Sequence, residues 1–333
     1  MGGSVSASKA LAYLAGVVGL IVANIVCAIA IKALNDPSSA GSKSAFRADA
    51  IAASATGPHD SFDAIGGYEA VKKTLRQLVV LPMKHSEVFY TPNAPSLRPP
   101  SAILLAGPPG TGKTSLVRAC AQESGATLIP LHSANLESKW FGETPKILAS
   151  AFRSAQERAP SIVFFDEIDS LGRTRSAMEH DATYALKCEL LRQLDDVARS
   201  NSPVIVVGCT NCANLLDPAL KRRFGRTVVV PLPDEKEREA VLRVLTSGES
   251  SPLSPHALSA LARRSEGFSG AALKSAHSEA CANRFWRRYG AREDFNAGKS
   301  SSEIATELGP LRSADWPEAM RPAARTRATA AEA

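Results

Sequence analysis

Gly107-Pro108-Pro109-Gly110-Thr111-Gly112-Lys113-Thr114 and, further along the chain, Ile162-Val163-Phe164-Phe165-Asp166-Glu167 decide the fold. The first stretch fits G-x-x-x-x-G-K-[ST], in which glycines let the backbone curl until its N–H groups face a row of phosphates. Lys113 is then placed to reach the outer phosphates of ATP, and the Thr114 hydroxyl to sit on Mg²⁺. The flanks agree: Ala102-Ile103-Leu104-Leu105-Ala106 is a short apolar run of the buried-strand type, and Ser115 to Glu123 has helical spacing. In the second stretch an apolar strand ends in two carboxylates. Asp166 is placed to hold Mg²⁺ through water, and Glu167, one residue on and facing elsewhere, to polarise a water attacking the γ-phosphate.

Working outward, apolar runs at 102–106, 127–131, 161–165, 204–208 and 227–231 alternate with helical stretches between Phe62 and Pro233. That alternation predicts an α/β fold with a parallel sheet sandwiched by helices, over 62–233. From residue 234 the strand signals stop. Segments 235–246, 255–265 and 269–289 read as helices and predict a smaller all-helical domain over 234–324, followed by a low-complexity tail, 325–333.

Upstream, Ala10 to Ile31 carries no charged residue and is long enough to cross a hydrocarbon core of about 30 Å. It predicts one transmembrane helix at 10–31, after a short segment 1–9 and before a flexible Ala/Ser/Gly-rich tether, 32–61. Lys32, Lys43 and Arg47 follow the span and only Lys9 precedes it, which places the remainder on the cytosolic side of a bilayer. Met1 to Ser6 also matches M-G-x-x-x-[ST], a pattern for myristoylation of Gly2, although the orientation just argued puts that residue on the opposite side.

The 333 residues are 44% hydrophobic, ample for a core, and the formal net charge is +6. The basic residues are dispersed among carboxylates, so nucleic acid is not expected as a partner. Of six cysteines, Cys209 and Cys212 form a C-x-x-C with no second such pair to complete a zinc site, and they read as reduced thiols.

In this order the motifs resemble the AAA ATPases, from Phe62 to about Met320. Within that family the chain looks most like the membrane-anchored dislocases of the mitochondrial outer membrane and peroxisome, which extract mislocalised tail-anchored proteins. The resemblance implies a small helical lid domain after the sheet and a homohexamer, with tail-anchored clients and the lipid bilayer as its other partners. Phe62 to Gly67 resembles the stretch beside the adenine and implies Ile65 and Gly66 as base contacts. Glu137 to Glu143 resembles the first pore loop, with Lys139, Trp140 and Phe141 gripping substrate, and Glu179-His180-Asp181 falls where a second pore loop would lie, with His180 as its contact. Val207 to Asn211 resembles the sensor strand, so that Asn211 orients the lytic water. Leu216 to Phe224 resembles the arginine-finger segment, Arg222 and Arg223 being offered to a neighbouring subunit. Gly267 to Leu273 resembles the turn that closes over the nucleotide and adds Gly270 and Ala271. Two positions depart from the family pattern: Thr227 stands where an arginine is usual, and Ala272 where an aspartate is usual.

Two alternatives accompany the dislocase reading. One is a microtubule-severing or membrane-remodelling AAA ATPase, against which the tether counts as too short for the N-terminal helical domain such proteins usually carry. The other is a membrane scaffold that binds nucleotide without turnover. No H-E-x-x-H zinc motif occurs, so an AAA protease is excluded.

Overall fold

A computed structural model describes residues 61–91, 97–132, 144–171, 181–248 and 253–290, with short pieces at 308–309, 311–312 and 315–316. The expected transmembrane span, nearly all of the tether, the tail and the pore residues Lys139, Trp140, Phe141 and His180 lie outside them. Among the described residues, no helix is long and apolar enough to cross a membrane.

The sheet is built from β1 (Ala102–Ala106), β2 (Thr127–His132), β3 (Ser161–Asp166), β4 (Val204–Thr210) and β5 (Arg226–Val229), all parallel, in the order β2-β3-β4-β1-β5. Alternate residues of each inner strand face opposite sides, and both sides are apolar. On one face Ile103, Leu105, Ile162, Phe164, Ile205 and Val207 join a cluster closed by Leu116 and Cys120. On the other face Leu104, Val163, Phe165 and Val206 pack with Leu148, Phe152 and Leu190. β5 stops short of the apolar run at 227–231, because Pro231 has no N–H to donate to a ladder.

The helices follow in chain order. α1 (Glu69–Leu75) runs on through a π-helical turn, Arg76–Val80, into α2 (Leu81–Lys84), and α3 (Ser86–Phe89) is a single turn. α4 (Lys113–Ser124) follows β1 and begins inside the glycine-rich stretch, two residues earlier than its spacing indicated. α5 (Thr144–Glu157), α6 (Ile168–Leu171), α7 (Asp181–Arg199) and α8 (Pro218–Arg223) complete the α/β part.

After β5 come α9 (Glu235–Thr246), α10 (Pro255–Arg264) and α11 (Gly270–Tyr289), within one or two residues of the helical segments read from sequence. Side-chain caps fix their starts. Asp234 and Glu237 form a reciprocal capping box on α9, while Ser254 and Ser269 cap α10 and α11. These helices bury their own apolar cluster, Leu242, Leu258, Leu261, Leu273 and the fully buried Trp316. The helical section therefore has a core separate from the two that cover the sheet.

Candidate active site

Phosphate-binding loops work by turning backbone N–H groups inward, which needs conformations that a side chain resists. Gly110 and Gly112 supply them with φ of 75° and 88°. A side chain at Gly107 would run into the carbonyl oxygen of Val230, so the loop also needs a glycine where it leaves β1. Thr111 ties the loop from within, its hydroxyl donating to the Pro108 carbonyl at 3.0 Å. Lys113 opens α4 and is 7% exposed. Its ammonium donates to the carbonyls of Gly107 (2.7 Å) and Pro108 (2.8 Å) and to Oδ1 of Asn211 (2.8 Å). Burial draws its pKa below the ordinary lysine range, partly offset by the nearby Cys209, Asp166 and Asp169.

The carboxyl ends of β1, β3 and β4 converge here, as ligand sites of open α/β sheets do. The Thr114 hydroxyl donates to Oδ2 of Asp166 at 3.0 Å, while Oδ1 of Asp166 accepts the Glu167 N–H at 3.1 Å. A carboxylate and a hydroxyl side by side form an all-oxygen set that fits Mg²⁺, which takes hard ligands and keeps several waters. Glu167 has φ of 52°, a left-handed conformation costing a non-glycine residue about 1 kcal/mol. Its exposed side chain lies on the wall of the cleft.

The cleft, about 550 Å³, continues past the loop to an apolar end lined by Ile65, Gly66, Val241, Leu245, Gly270 and Ala271. This end is assembled from three distant segments. Lys72 reaches back to hold the Ile65 carbonyl at 2.6 Å. A side chain on Gly66 would strike the carbonyl of Ala240 in α9, so the strap, residues 65–68, and that helix are in direct backbone contact. Tyr68, itself left-handed at φ 61°, donates its N–H to Oε1 of Glu237 (3.2 Å) and its hydroxyl to the Pro231 carbonyl (3.3 Å). Across the cleft the Ala271 N–H donates to the Gly110 carbonyl at 2.9 Å, so the start of α11 touches the phosphate loop directly. The cleft thus pairs a cation, N–H groups and a carboxylate–hydroxyl pair with an apolar slot, the shape of a nucleoside triphosphate.

A family model described as "ATPase family associated with various cellular activities (AAA)" matches residues 103–232. The AAA domain of FIGL-1 in complex with ADP superposes with a TM-score of 0.68 at 30% identity, over 82% of this chain and 88% of that one. This chain belongs to the AAA ATPase family. Chicken (Gallus gallus) spastin is 37% identical over 267 residues, 80% of this chain and 42% of its own length. Zebrafish (Danio rerio) spastin is 42% identical over 220 residues, 66% of this chain and 38% of its own. The chain therefore spans about two fifths of the length of these curated relatives. Spastin and FIGL-1 are thus among the proteins this chain is similar to.

On this AAA body the structure gathers most of the sequence-read site. Ile65, Gly66, Pro109 to Thr114, Asp166, Glu167, Asn211, Gly270 and Ala271 line one cleft, and Pro108 sits behind it as an acceptor for Lys113. Arg222 and Arg223 do not reach it; both are on α8. They also differ from each other. Arg223 grips both oxygens of Asp195 on α7 at 2.9 Å, whereas Arg222 is exposed with no partner among the described residues. Val241, Leu245 and Lys274 line the cleft and were missed in the sequence. Val241 and Leu245, four apart on α9, carry only the ordinary signal of a helix with a buried face. Of the two departures, Thr227 is exposed on β5 opposite Leu104, and Ala272 donates its N–H to the Ser269 cap at 3.3 Å.

Proposed function

We propose that the chain is the motor of a microtubule-severing AAA ATPase, working as a homohexamer that pulls on a polypeptide. The observation carrying this reading is the similarity to spastin and FIGL-1, which extends through both the sheet and the helical section. The helical section then acts as the lid that closes over the base. ATP places its phosphates along Gly110 to Lys113 and its base in the slot of Ile65, Val241 and Leu245. Thr114 and Asp166 would hold Mg²⁺, which would neutralise phosphate charge there.

Lys113 exchanges its carbonyl and Asn211 partners for phosphate oxygens, which frees the Asn211 carboxamide to orient water. Glu167 takes a proton as the water oxygen attacks the γ-phosphorus and the bond to the β-phosphate breaks. Arg222 of an adjacent copy meets the charge spreading over the γ-phosphate, with Arg223 setting the pitch of α8 through Asp195. Trp140 and Phe141, framed by Lys139, Gly142 and Glu143, grip the substrate in the central channel, with His180 as a second contact.

The test is ATP-dependent shortening of labelled microtubules, compared with Glu167→Gln. Severing by the wild type, and a loss of turnover of at least a hundredfold with ATP binding retained in the variant, is the expected result. Turnover without severing, together with release of a tail-anchored protein from liposomes, would replace this reading with the dislocase. The apolar span Ala10–Ile31 favours that second reading, and with it an anchor in the mitochondrial outer or peroxisomal membrane.

A further inference from the structure

Asn211 is the one polar side chain of the cleft that the lysine of the phosphate loop already occupies, and its flanking residues are held with unusual completeness. Thr210, which ends β4 just before it, is 1% exposed. Its carbonyl accepts the Gly107 N–H at 3.3 Å, its hydroxyl donates to Oδ1 of Asp169 at 2.9 Å, and the same hydroxyl accepts the Cys212 N–H at 3.0 Å. A hydroxyl has one proton to give and lone pairs to receive, so both roles are filled at once. Asn211 lies between Thr210 and Cys212, and the clamp therefore fixes the backbone on both of its sides. Asp169 stands on α6, two residues beyond Glu167. Thr210 thus joins the carboxylate turn after β3 to the sensor loop after β4 through its hydroxyl, and both to the base of the phosphate loop through its carbonyl.

We infer that Thr210 and Asp169 are positioning residues that hold Asn211 in register with Glu167 once Lys113 has moved to the phosphates. The inference rests on the ATPase mechanism proposed above and assigns neither residue a contact with substrate. Before nucleotide arrives, the Lys113 bond at 2.8 Å also restrains the Asn211 carboxamide. When that bond is given up, the side chain is placed only through its backbone, and the clamp is what remains. A loose clamp then costs rate rather than affinity, because Asn211 acts on the water and not on the bound nucleotide.

Steady-state ATPase assays on the full chain test this, with Glu167→Gln run alongside. Thr210→Val keeps the shape and removes donor and acceptor; its kcat should fall about tenfold with KM and ADP affinity within about twofold, the effect of one or two lost hydrogen bonds. Asp169→Ala should match it, while Thr210→Ser and Asp169→Asn, which preserve the bonds, should recover most of the rate. In an Asn211→Ala background Thr210→Val should add nothing further. Equal losses in both backgrounds, a KM that rises as kcat falls, or an unchanged kcat would overturn the inference. If turnover depends on Glu167 and Thr210→Val behaves as wild type, only the positioning role fails; if turnover is indifferent to Glu167, the mechanism it rests on fails as well.

Discussion

The two ends of the cleft are built on opposite plans. At the phosphate end the central polar side chains already have partners: Lys113 on Asn211 and two carbonyls, Thr114 on Asp166, Thr210 on Asp169. At the base end the walls are apolar and come from separate places, Ile65 from the segment before α1, Val241 and Leu245 from α9, and Ala271 from α11. The difference follows from what each end must hold. Phosphates need fixed dipoles and a cation in a preset geometry, whereas a flat base needs mainly shape and dryness, which residues far apart in sequence can provide.

If the phosphate end is the anchor, Lys113→Ala should weaken ATP binding roughly a hundredfold by titration calorimetry, the scale of charged hydrogen bonds lost together. Binding within threefold of wild type would remove the distinction between the two ends. Gly66→Ala tests the base end. Its new Cβ meets the Ala240 backbone, so α9 must shift. We expect a loss of about 1–3 kcal/mol of stability and nucleotide binding about tenfold weaker, with kcat at saturation little changed. An equal fall in kcat would show that the two ends do not act separately.

The smallest effect is expected at Tyr68. Burial, with the Glu237 charge adding to it, pushes its phenol from 10.0 up to about 12. The neutral form is favoured on folding, so this contribution is complete below pH 10 and is lost as pH rises from about 10 through 12. Tyr68→Phe should cost about 1 kcal/mol at neutral pH through the bond to Pro231, and the gap from wild type should close across that interval. Denaturant titrations at pH 8 and 11 would sharpen the picture. A constant gap would mean that the phenol does not tie the strap to the sheet.

These contrasts explain what was legible in the chain. Gly107 to Thr114, Asp166 and Glu167 were readable because each lies at the end of an apolar run, where the strand itself delivers it to the site, whereas Asn211 entered only through the resemblance to the family's sensor strand. Val241, Leu245 and Lys274 were not, since a residue on an amphipathic helix shows the same pattern whether its face meets a core or a ligand. The neighbours Arg222 and Arg223 looked equivalent in sequence, yet the packing of α8 on α7 gives Asp195 to one of them. The motifs do not choose between a dislocase and a severing enzyme, for a related reason. The nucleotide site that both would share is written in contiguous motifs, while the residues proposed above to meet a client lie outside the nucleotide motifs.

By itself the sequence determined the alternation of strands and helices, the phosphate loop and the carboxylates after β3, because periodicity and motif spacing act over neighbouring residues. Only the tertiary structure decided which helix lines the apolar end of the cleft, which arginine is already engaged, and that a single threonine, through its hydroxyl and its carbonyl, joins three loops. Those outcomes depend on contacts between residues far apart in the chain, such as Gly66 with Ala240, Gly110 with Ala271 and Thr210 with Asp169, and a local pattern carries no information about them.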